Sequence, residues 1–429
     1  MAEIRPFRGI YYNQENVDLG DVVTQPYDRI SPEEQLEFYE QSPFNICRII
    51  LGREEHGDSE KRNKYVRARE CFVNWMKSKV LVEDDRECFY SYTMEYEQDG
   101  ETKIRRGLSA LVKLETFDSG VILPHERTFK GPKVDRLNLM RATRTNFGHI
   151  FMLYSEPNKP ILKMLEEKEK ENSFQEVNFK DVVHRIGRID DPKDMQMIIE
   201  TLEDKQLLIA DGHHRYSTAI DFRNELGAPK GSGADYRLIT LFNMEDESMA
   251  ILPTHRTVKN LKHFAPDTVK NKLSKFFDIE EISGGKASIT SKLSELKGGD
   301  TSFVMYLGGK KSIVLKLRDK EDTIKSELSN LDPIVAQLDV SILHNLILDK
   351  LFGLTVEEQN KYGSIKYVRS IESGMENVNN GVYQACFFMN GTRIQEVRDV
   401  AQSGAVMPQK STDFYPKLLT GMLSRRIIV

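Results

Sequence analysis

The sequence predicts an α+β protein organised around a mixed sheet, and three observations carry that expectation. Between residues 111 and 258, short apolar strands at 121–123, 150–154, 207–210 and 237–242 alternate with helical patterns. Upstream, two alternating stretches rich in aromatic and β-branched residues, 88–96 and 103–114, flank Asp99-Gly100, a strong hairpin signal. From residue 259 the pattern becomes helix, strand, strand, helix. These shifts divide the chain into an N-terminal α+β segment, 1–110, a core, 111–258, and a C-terminal α+β domain, 259–429.

Within the first segment, 22–28 reads as a strand entering a turn, because Pro26 forces Gln25 away from helix. Ser31-Pro32-Glu33-Glu34 is a helix start: an N-cap serine, proline at the first helical position and acids in the first turn. Tyr65, Ala68, Cys71, Phe72 and Trp75 set helical periodicity over 59–79. The Glu- and Lys-rich 165–172 reads as a solvated helix or surface insertion. Farther on, 302–306 and 312–317 flank Gly308-Gly309 as a hairpin. An amphipathic helix is expected over 335–352, a strand over 382–388 and a helix over 393–403.

The 429 residues are 39% hydrophobic and 30% charged, which suits a globular protein with ample core. With 61 basic and 66 acidic residues, net −5, the chain lacks the basic surplus of a protein that coats nucleic acid, and no nucleic-acid partner is expected. Cys47, Cys71, Cys88 and Cys386 form no CxxC pair, which argues against a thiolate zinc site. The start MAEIRPFRGI carries charges where a signal peptide needs an apolar run. No stretch approaches the ~20 apolar residues that span a bilayer. These features predict a cytoplasmic protein with reduced thiols and no membrane partner.

The strongest chemical signal is Asp211-Gly212-His213-His214-Arg215, between a buried strand and a helix carrying Ala219, Ile220 and Phe222 inward. Gly212 permits a tight turn. The helix start offers unpaired N–H groups to an anion. Arg215 adds a planar charged fork that matches phosphate oxygens. Asp211 is placed to accept from a ribose hydroxyl or to orient a metal-bound water. Adjacent His213 and His214 diverge, so the pattern predicts no histidine-held metal. The turn is therefore read as a nucleotide-phosphate site.

A second signal, Leu123-Pro124-His125-Glu126-Arg127-Thr128, follows a short strand and offers Glu126 as general base on a hydroxyl. Arg136, Arg141 and Arg144 follow at helical spacing, toward the same phosphates or on a solvated face. His255 and Arg256 end an apolar stretch and are candidates to complete an anion pocket. Lys410, Ser411 and Thr412 resemble the end of a phosphate loop without its glycines, and are candidates to bind phosphate from a second domain.

Over nearly its full length the chain resembles the family DUF1015. The resemblance rests on Arg5-Pro6-Phe7-Arg8-Gly9, Pro26-Tyr27-Asp28, Pro124-His125-Glu126, Asp211-Gly212-His213-His214-Arg215-Tyr216, Leu252-Pro253-Thr254-His255-Arg256 and the segment from Met407-Pro408 to Lys417. More narrowly, Pro-His-Glu followed by Asp-Gly-His-His-Arg resembles the ParB/sulfiredoxin fold and, within it, the free-serine kinases. That resemblance implies a mixed-sheet nucleotide-binding core, ADP or ATP with Mg²⁺ as cofactors, and L-serine or O-phosphoserine as the small metabolite. It makes Glu126 the base on the serine hydroxyl. Asp211, Gly212, His213, His214, Arg215 and Tyr216 fall on the phosphate-binding and activating motif. A charged insertion separates Glu126 from Asp211, and the flanking segments have no counterpart in those kinases.

The leading expectation is thus a kinase-like phosphotransferase acting on an alcohol group. The alternative is a CTP-type nucleotide-gated switch, as in ParB proteins. A sulfiredoxin-like redox role would need a cysteine at the phosphate turn, where histidines stand. Oligomeric state is left open, a homodimer included. From sequence, Asp211→Ala or Arg215→Ala is expected to abolish nucleotide binding with little effect on folding.

Overall fold

The computed structural model describes residues 1–98, 100–126, 130–262, 264–359 and 363–428. Asp99 of the hairpin signal and Arg127 and Thr128 of the second motif lie outside them. The chain forms two compact units. One comprises 1–249 with 416–429, the other 250–415.

The first unit is built on a nine-stranded mixed sheet. In chain order its strands are β1 (Ile4–Arg5), β2 (Phe89–Gln98), β3 (Glu101–Lys113), β4 (Ile122–Leu123), β5 (Ile150–Tyr154), β6 (Ser173–Phe179), β7 (Val182–Ile189), β8 (Leu207–Asp211) and β9 (Tyr236–Asn243). Their order across the sheet is β4-β8-β5-β9-β3-β2-β7-β6, with β1 also on β3. β4 runs parallel to β8 and β5 parallel to β9, and the remaining pairs are antiparallel. Gln98 faces Glu101 across the β2–β3 turn, the tight hairpin expected around Gly100.

Helices α1 (Pro32–Gln41), α2 (Lys64–Lys77), α3 (Lys130–Thr143), α4 (Pro160–Asn172), α5 (Pro192–Leu202) and α6 (His213–Leu226) complete this unit's longer elements. Ser31 caps α1 in a reciprocal box with Glu34, as the local sequence requires. One core joins Ile150 and Met152 of β5, Leu207 and Ile209 of β8 and Ile239 of β9. Ile161 and Leu165 of α4, Ile198 of α5 and Ala219 and Phe222 of α6 pack into it. The Glu- and Lys-rich stretch is the C-terminal part of α4, with Leu165 buried and 166–172 exposed or half-buried.

The last fourteen residues return to this unit. Thr24 and Thr420 exchange backbone hydrogen bonds at 2.8 and 3.0 Å, and Ile10 and Ser424 do so at 2.7 and 2.8 Å. Arg425–Arg426 pairs with Thr145–Asn146. The Leu419 N–H donates to the Tyr92 hydroxyl at 2.9 Å.

The second unit holds a six-stranded antiparallel sheet of β10 (His255–Val258), β11 (Phe277–Ser283), β12 (Ser302–Gly308), β13 (Lys311–Leu317), β14 (Ile365–Val368) and β15 (Ala385–Phe388). The order is β11-β13-β12-β15-β10-β14, with helices Lys286–Glu295 and Ile371–Asn379 packed on it.

Three expectations change, and one hairpin was missed. The division at residue 110 falls inside β3, which is hydrogen-bonded to β9 of the expected core, so 1–110 and 111–258 share one sheet. The stretch 22–28 is a short helix ending at Val22, one bridge at Thr24 and a 3₁₀ turn over Tyr27–Arg29, because Thr24 pairs singly with the returning chain. The hairpin β6–β7 was not read from the sequence. The amphipathic helix at 335–352 is interrupted, with short helices Pro333–Ala336 and Asp339–Ser341 before a π-helical Ile342–Leu351. Six residues of that last segment, from Ile342 to Leu348, are buried, so its residues pack on more than one face.

Candidate functional site

Two chain segments leave the sheet side by side. β4 and β8 are parallel neighbours, Ile122 beside Leu207 and Leu123 beside Leu208. Their carboxyl ends therefore deliver Pro124-His125-Glu126 and Asp211-Gly212-His213 to one edge. The carboxyl ends of parallel strands are where open α/β sheets place their sites. An irregularity sharpens the placement. Ile209 opposes Met152 and Asp211 opposes Phe151, so Ala210 is the extra residue that re-aims Asp211.

Gly212 then turns the chain with φ +104° and ψ 24°, and α6 begins. A Cβ at 212 would lie 3.1 Å from Nε and Nη2 of Arg215, so glycine serves both the turn and the seat of that guanidinium. The Tyr216 N–H donates to the Gly212 carbonyl at 2.9 Å. The N–H groups before it are those that a helix start presents to an anion.

His125 and His213 lock the two segments together. The His125 backbone N–H donates to Nε2 of His213 at 3.2 Å, and His125 Nδ1 lies 2.7 Å from the Ile209 carbonyl. The rings meet edge to face with centroids 4.7 Å apart. Both residues are buried. Burial pushes His125 down to about 4 and His213 well below the ordinary histidine range, so both are neutral at neutral pH.

Asp211 is held between cations. Lys417 Nζ donates to Oδ1 at 2.9 Å, and Arg215 Nη2 donates to Oδ2. Burial raises the carboxyl's proton affinity, but Lys417, Arg215 and Arg29 outweigh it and hold Asp211 far below the usual carboxylate range. Arg215 Nη1 also donates to the His149 carbonyl. The Asp211 carboxylate thus stands among Lys417, Arg215 and Arg29 at a helix N-terminus. Lys417 was seen in the sequence only as the end of a motif. Its pairing with a residue 206 positions away depends on the returning C-terminal segment.

Other predicted residues divide by place. Glu126 follows His125 directly and is half-buried, and His214 is half-buried on the first turn of α6. Tyr216 serves the core: its hydroxyl donates to the Glu115 carbonyl at 2.9 Å and accepts from the Glu115 N–H at 3.0 Å, and its ring stacks on Phe117. The side chain is fully buried, so Tyr216 is a structural member of the motif. Arg136 lines a cavity with Arg215, whereas Arg141 pairs with Glu225 at the surface.

His255, Arg256, Lys410, Ser411 and Thr412 belong to the second unit. There Arg256 is buried, with Nη2 donating to the Lys410 carbonyl at 2.9 Å and Nε to His344 Nε2 at 3.3 Å. His255 Nδ1 accepts from the Met389 N–H at 3.4 Å. The Ser411 hydroxyl donates to the Pro408 carbonyl at 2.5 Å. These groups are engaged inside their own unit, and Lys410 meets Arg256 through its backbone rather than its ammonium.

Among the described residues, no three His, Cys, Asp or Glu side chains cluster to hold a metal ion. No described helix is long and apolar enough to cross a membrane.

Fold and site together define a mixed α/β protein with a strand-to-helix turn rich in charged side chains at the edge of its larger sheet. The chain belongs to the family described as Protein of unknown function (DUF1015), whose model matches residues 4–341. No curated protein matches it. Among solved structures it is similar to a mutant free serine kinase in complex with AMP, at 14% identity and TM-score 0.35, over 71% of this chain and 87% of that one. A conserved hypothetical protein from Pyrococcus furiosus is 15% identical with TM-score 0.32, over 71% and 90%. SbnI with C-terminal truncation from Staphylococcus aureus is 11% identical with TM-score 0.33, over 72% and 85%.

Proposed function

We propose that this chain is a nucleotide-dependent phosphotransferase of the ParB/sulfiredoxin type. It would move a phosphoryl group between ADP or ATP and the hydroxyl of a small metabolite, with L-serine or O-phosphoserine as first candidate. The observation that carries the reading is the Asp211 turn: Arg215, Lys417 and Arg29 surround one carboxylate where α6 presents its N-terminal amides.

Phosphoryl transfer asks chiefly for positioning and charge neutralisation, which such a turn supplies. In the forward sense the acceptor hydroxyl oxygen bonds to the terminal phosphorus. The bond from that phosphorus to the nucleotide's bridging oxygen breaks, its electron pair leaves with the nucleotide, and the hydroxyl proton passes to the Glu126 carboxylate. Glu126 suits this step because the parallel pairing of β4 and β8 sets its segment beside the phosphate turn.

Magnesium would be an ion held mainly by nucleotide phosphates and water, because both oxygens of Asp211 already accept from Lys417 and Arg215. When bound it would neutralise phosphate charge. Neutral His125 and His213 fix the geometry of the two segments without adding a charge of their own.

The test is calorimetric titration of the full chain with ADP, ATP and CTP, each with Mg²⁺ and with or without L-serine or O-phosphoserine. One adenine nucleotide binding, and binding more tightly with either amino acid, supports phosphotransfer and names the donor. CTP binding alone, indifferent to amino acids, replaces it with a nucleotide-gated switch. Binding of none overturns the nucleotide reading.

A further inference from the structure

Lys417 lies in the C-terminal segment that returns to the first unit. The chain just after it is pinned: Leu418 and Leu419 are buried, the Leu419 N–H donates to the Tyr92 hydroxyl at 2.9 Å, and Thr420 pairs with Thr24. The Lys417 side chain is 11% exposed and donates from Nζ to Asp211 Oδ1 at 2.9 Å. An exposed lysine gives up rotamer freedom to hold one such contact, which is why surface pairs contribute little. Here the packed backbone and stem have already ordered the side chain.

Two cations in contact with Asp211 come from different elements. Arg215 reaches Oδ2 from the first turn of α6, and Lys417 reaches Oδ1 from 206 residues on. A donor on each oxygen holds the plane of the carboxylate, whereas a single donor leaves its last torsion soft. Burial works against the charge on Asp211, and Lys417 opposes it ahead of Arg215 and Arg29. His125 and His213 also face the carboxylate, and both are neutral at neutral pH. A carboxylate kept charged repels phosphate oxygens, so what it accepts from a nucleotide is the hydrogen of a hydroxyl.

We infer that Lys417 is a positioning residue of this site: with Arg215 it fixes the Asp211 carboxylate, so that Asp211 meets a bound nucleotide as an oriented acceptor for one of its hydroxyls. The inference rests on the nucleotide reading above and adds to it a residue from the far end of the chain. Lys417 acts through Asp211 rather than on the phosphates. Without Lys417, burial is opposed by Arg215 and Arg29 alone. As pH falls, Asp211 then takes up a proton at a higher pH than in the wild type, and a protonated carboxyl is no longer the charged acceptor. Nucleotide affinity in such a variant therefore drops in acid where the wild type holds it.

The test is calorimetric titration of the full chain with ADP and ATP, each with Mg²⁺, at about pH 8 and about pH 5, which bracket the range where a buried carboxyl with fewer partners titrates. The proteins are the wild type, Lys417→Met, Lys417→Gln and Lys417→Arg, with circular dichroism confirming the fold at both pH values. The readout is the ratio of the acid Kd to the alkaline Kd, in which titration of the nucleotide's own phosphates is common to all four. An adjacent opposite charge lowers a carboxyl by about 1–3 pH units, so Lys417→Met and Lys417→Gln are expected to raise the ratio at least about threefold above the wild type's. Lys417→Arg keeps the charge and is expected to restore the wild-type ratio. Lys417→Gln keeps a donor for Oδ1 without the charge, so the test stands if Lys417→Met fails to fold. A wild-type ratio in the methionine and glutamine variants overturns the inference and leaves the nucleotide reading intact, whether affinity is unchanged or lost equally at both pH values. An acid loss in Lys417→Arg as large as in Lys417→Gln overturns it too. Absence of nucleotide binding by the wild type overturns both readings.

Discussion

The backbone N–H of His125 donates to Nε2 of His213, 3.2 Å away, across the gap between the ends of β4 and β8. The bond assigns His213 its proton on Nδ1 and ties the segment bearing Glu126 to the Asp211-Gly212 turn. His213→Ala leaves a buried N–H without its acceptor, which costs about 1–3 kcal/mol. Urea unfolding should show that loss for His213→Ala, and a smaller one for half-buried His214→Ala. Equal losses would deny the bond its role.

Asp211→Ala is now expected to do more than abolish nucleotide binding. It would strand Lys417 and Arg215, whose side chains are 11% and 12% exposed, without their shared carboxylate. Removing one partner from a largely buried pair costs about 3–5 kcal/mol. Chemical denaturation measures it, and a cost under about 1 kcal/mol would place the triad in surface-like surroundings.

Gly212→Ala tests the turn itself. At φ +104° a side chain is strained, and the new Cβ would press on the Arg215 guanidinium. A loss of about 1–2 kcal/mol in unfolding free energy is expected, together with weaker adenine-nucleotide binding in the calorimeter. Unchanged affinity would separate the turn from the ligand.

The first unit should weaken in acid. His149 is fully buried, with Nε2 2.9 Å from the Leu423 carbonyl and Nδ1 2.6 Å from the Thr240 hydroxyl. Burial pushes it down to about 3, and His184 likewise. The unfolded chain takes up these protons below pH ~6.5 while the folded chain refuses them until pH nears 3. Stability is therefore full above that upper limit and falls as pH drops, by ~1.4 kcal/mol per pH unit for each such histidine. His149→Gln should flatten the dependence of unfolding free energy on pH by one such increment. An unchanged slope would mean that His149 titrates normally in the fold.

Glu126→Gln keeps the shape of the segment and removes the proton acceptor. Nucleotide affinity is expected to persist while phosphoryl transfer slows by about 100-fold or more. Rapid-quench measurement of the transfer step decides it, and an unchanged rate moves the base elsewhere.

Local chemistry was enough to place many elements. Apolar periodicity located β5, β8 and β9, the Ser31-Pro32 start located α1, and the glycine before two histidines and an arginine located the turn into α6. These signals act over a few residues, so they are written in adjacent letters. Their assembly is not. β2 and β3 lie in the same sheet as β9, which removed the division at residue 110, because hydrogen-bonded register depends on strands far apart in sequence. Tyr216 left the ligand set once its hydroxyl met the Glu115 backbone. Lys417 acquired its role only in three dimensions: it reaches Asp211 because the C-terminal segment is stitched to residues 10 and 24. Sequence alone determined which segments carry the charged and polar side chains. Tertiary structure decided which charges are compensated, because compensation depends on distance and burial, and neither is a property of neighbouring residues in the chain.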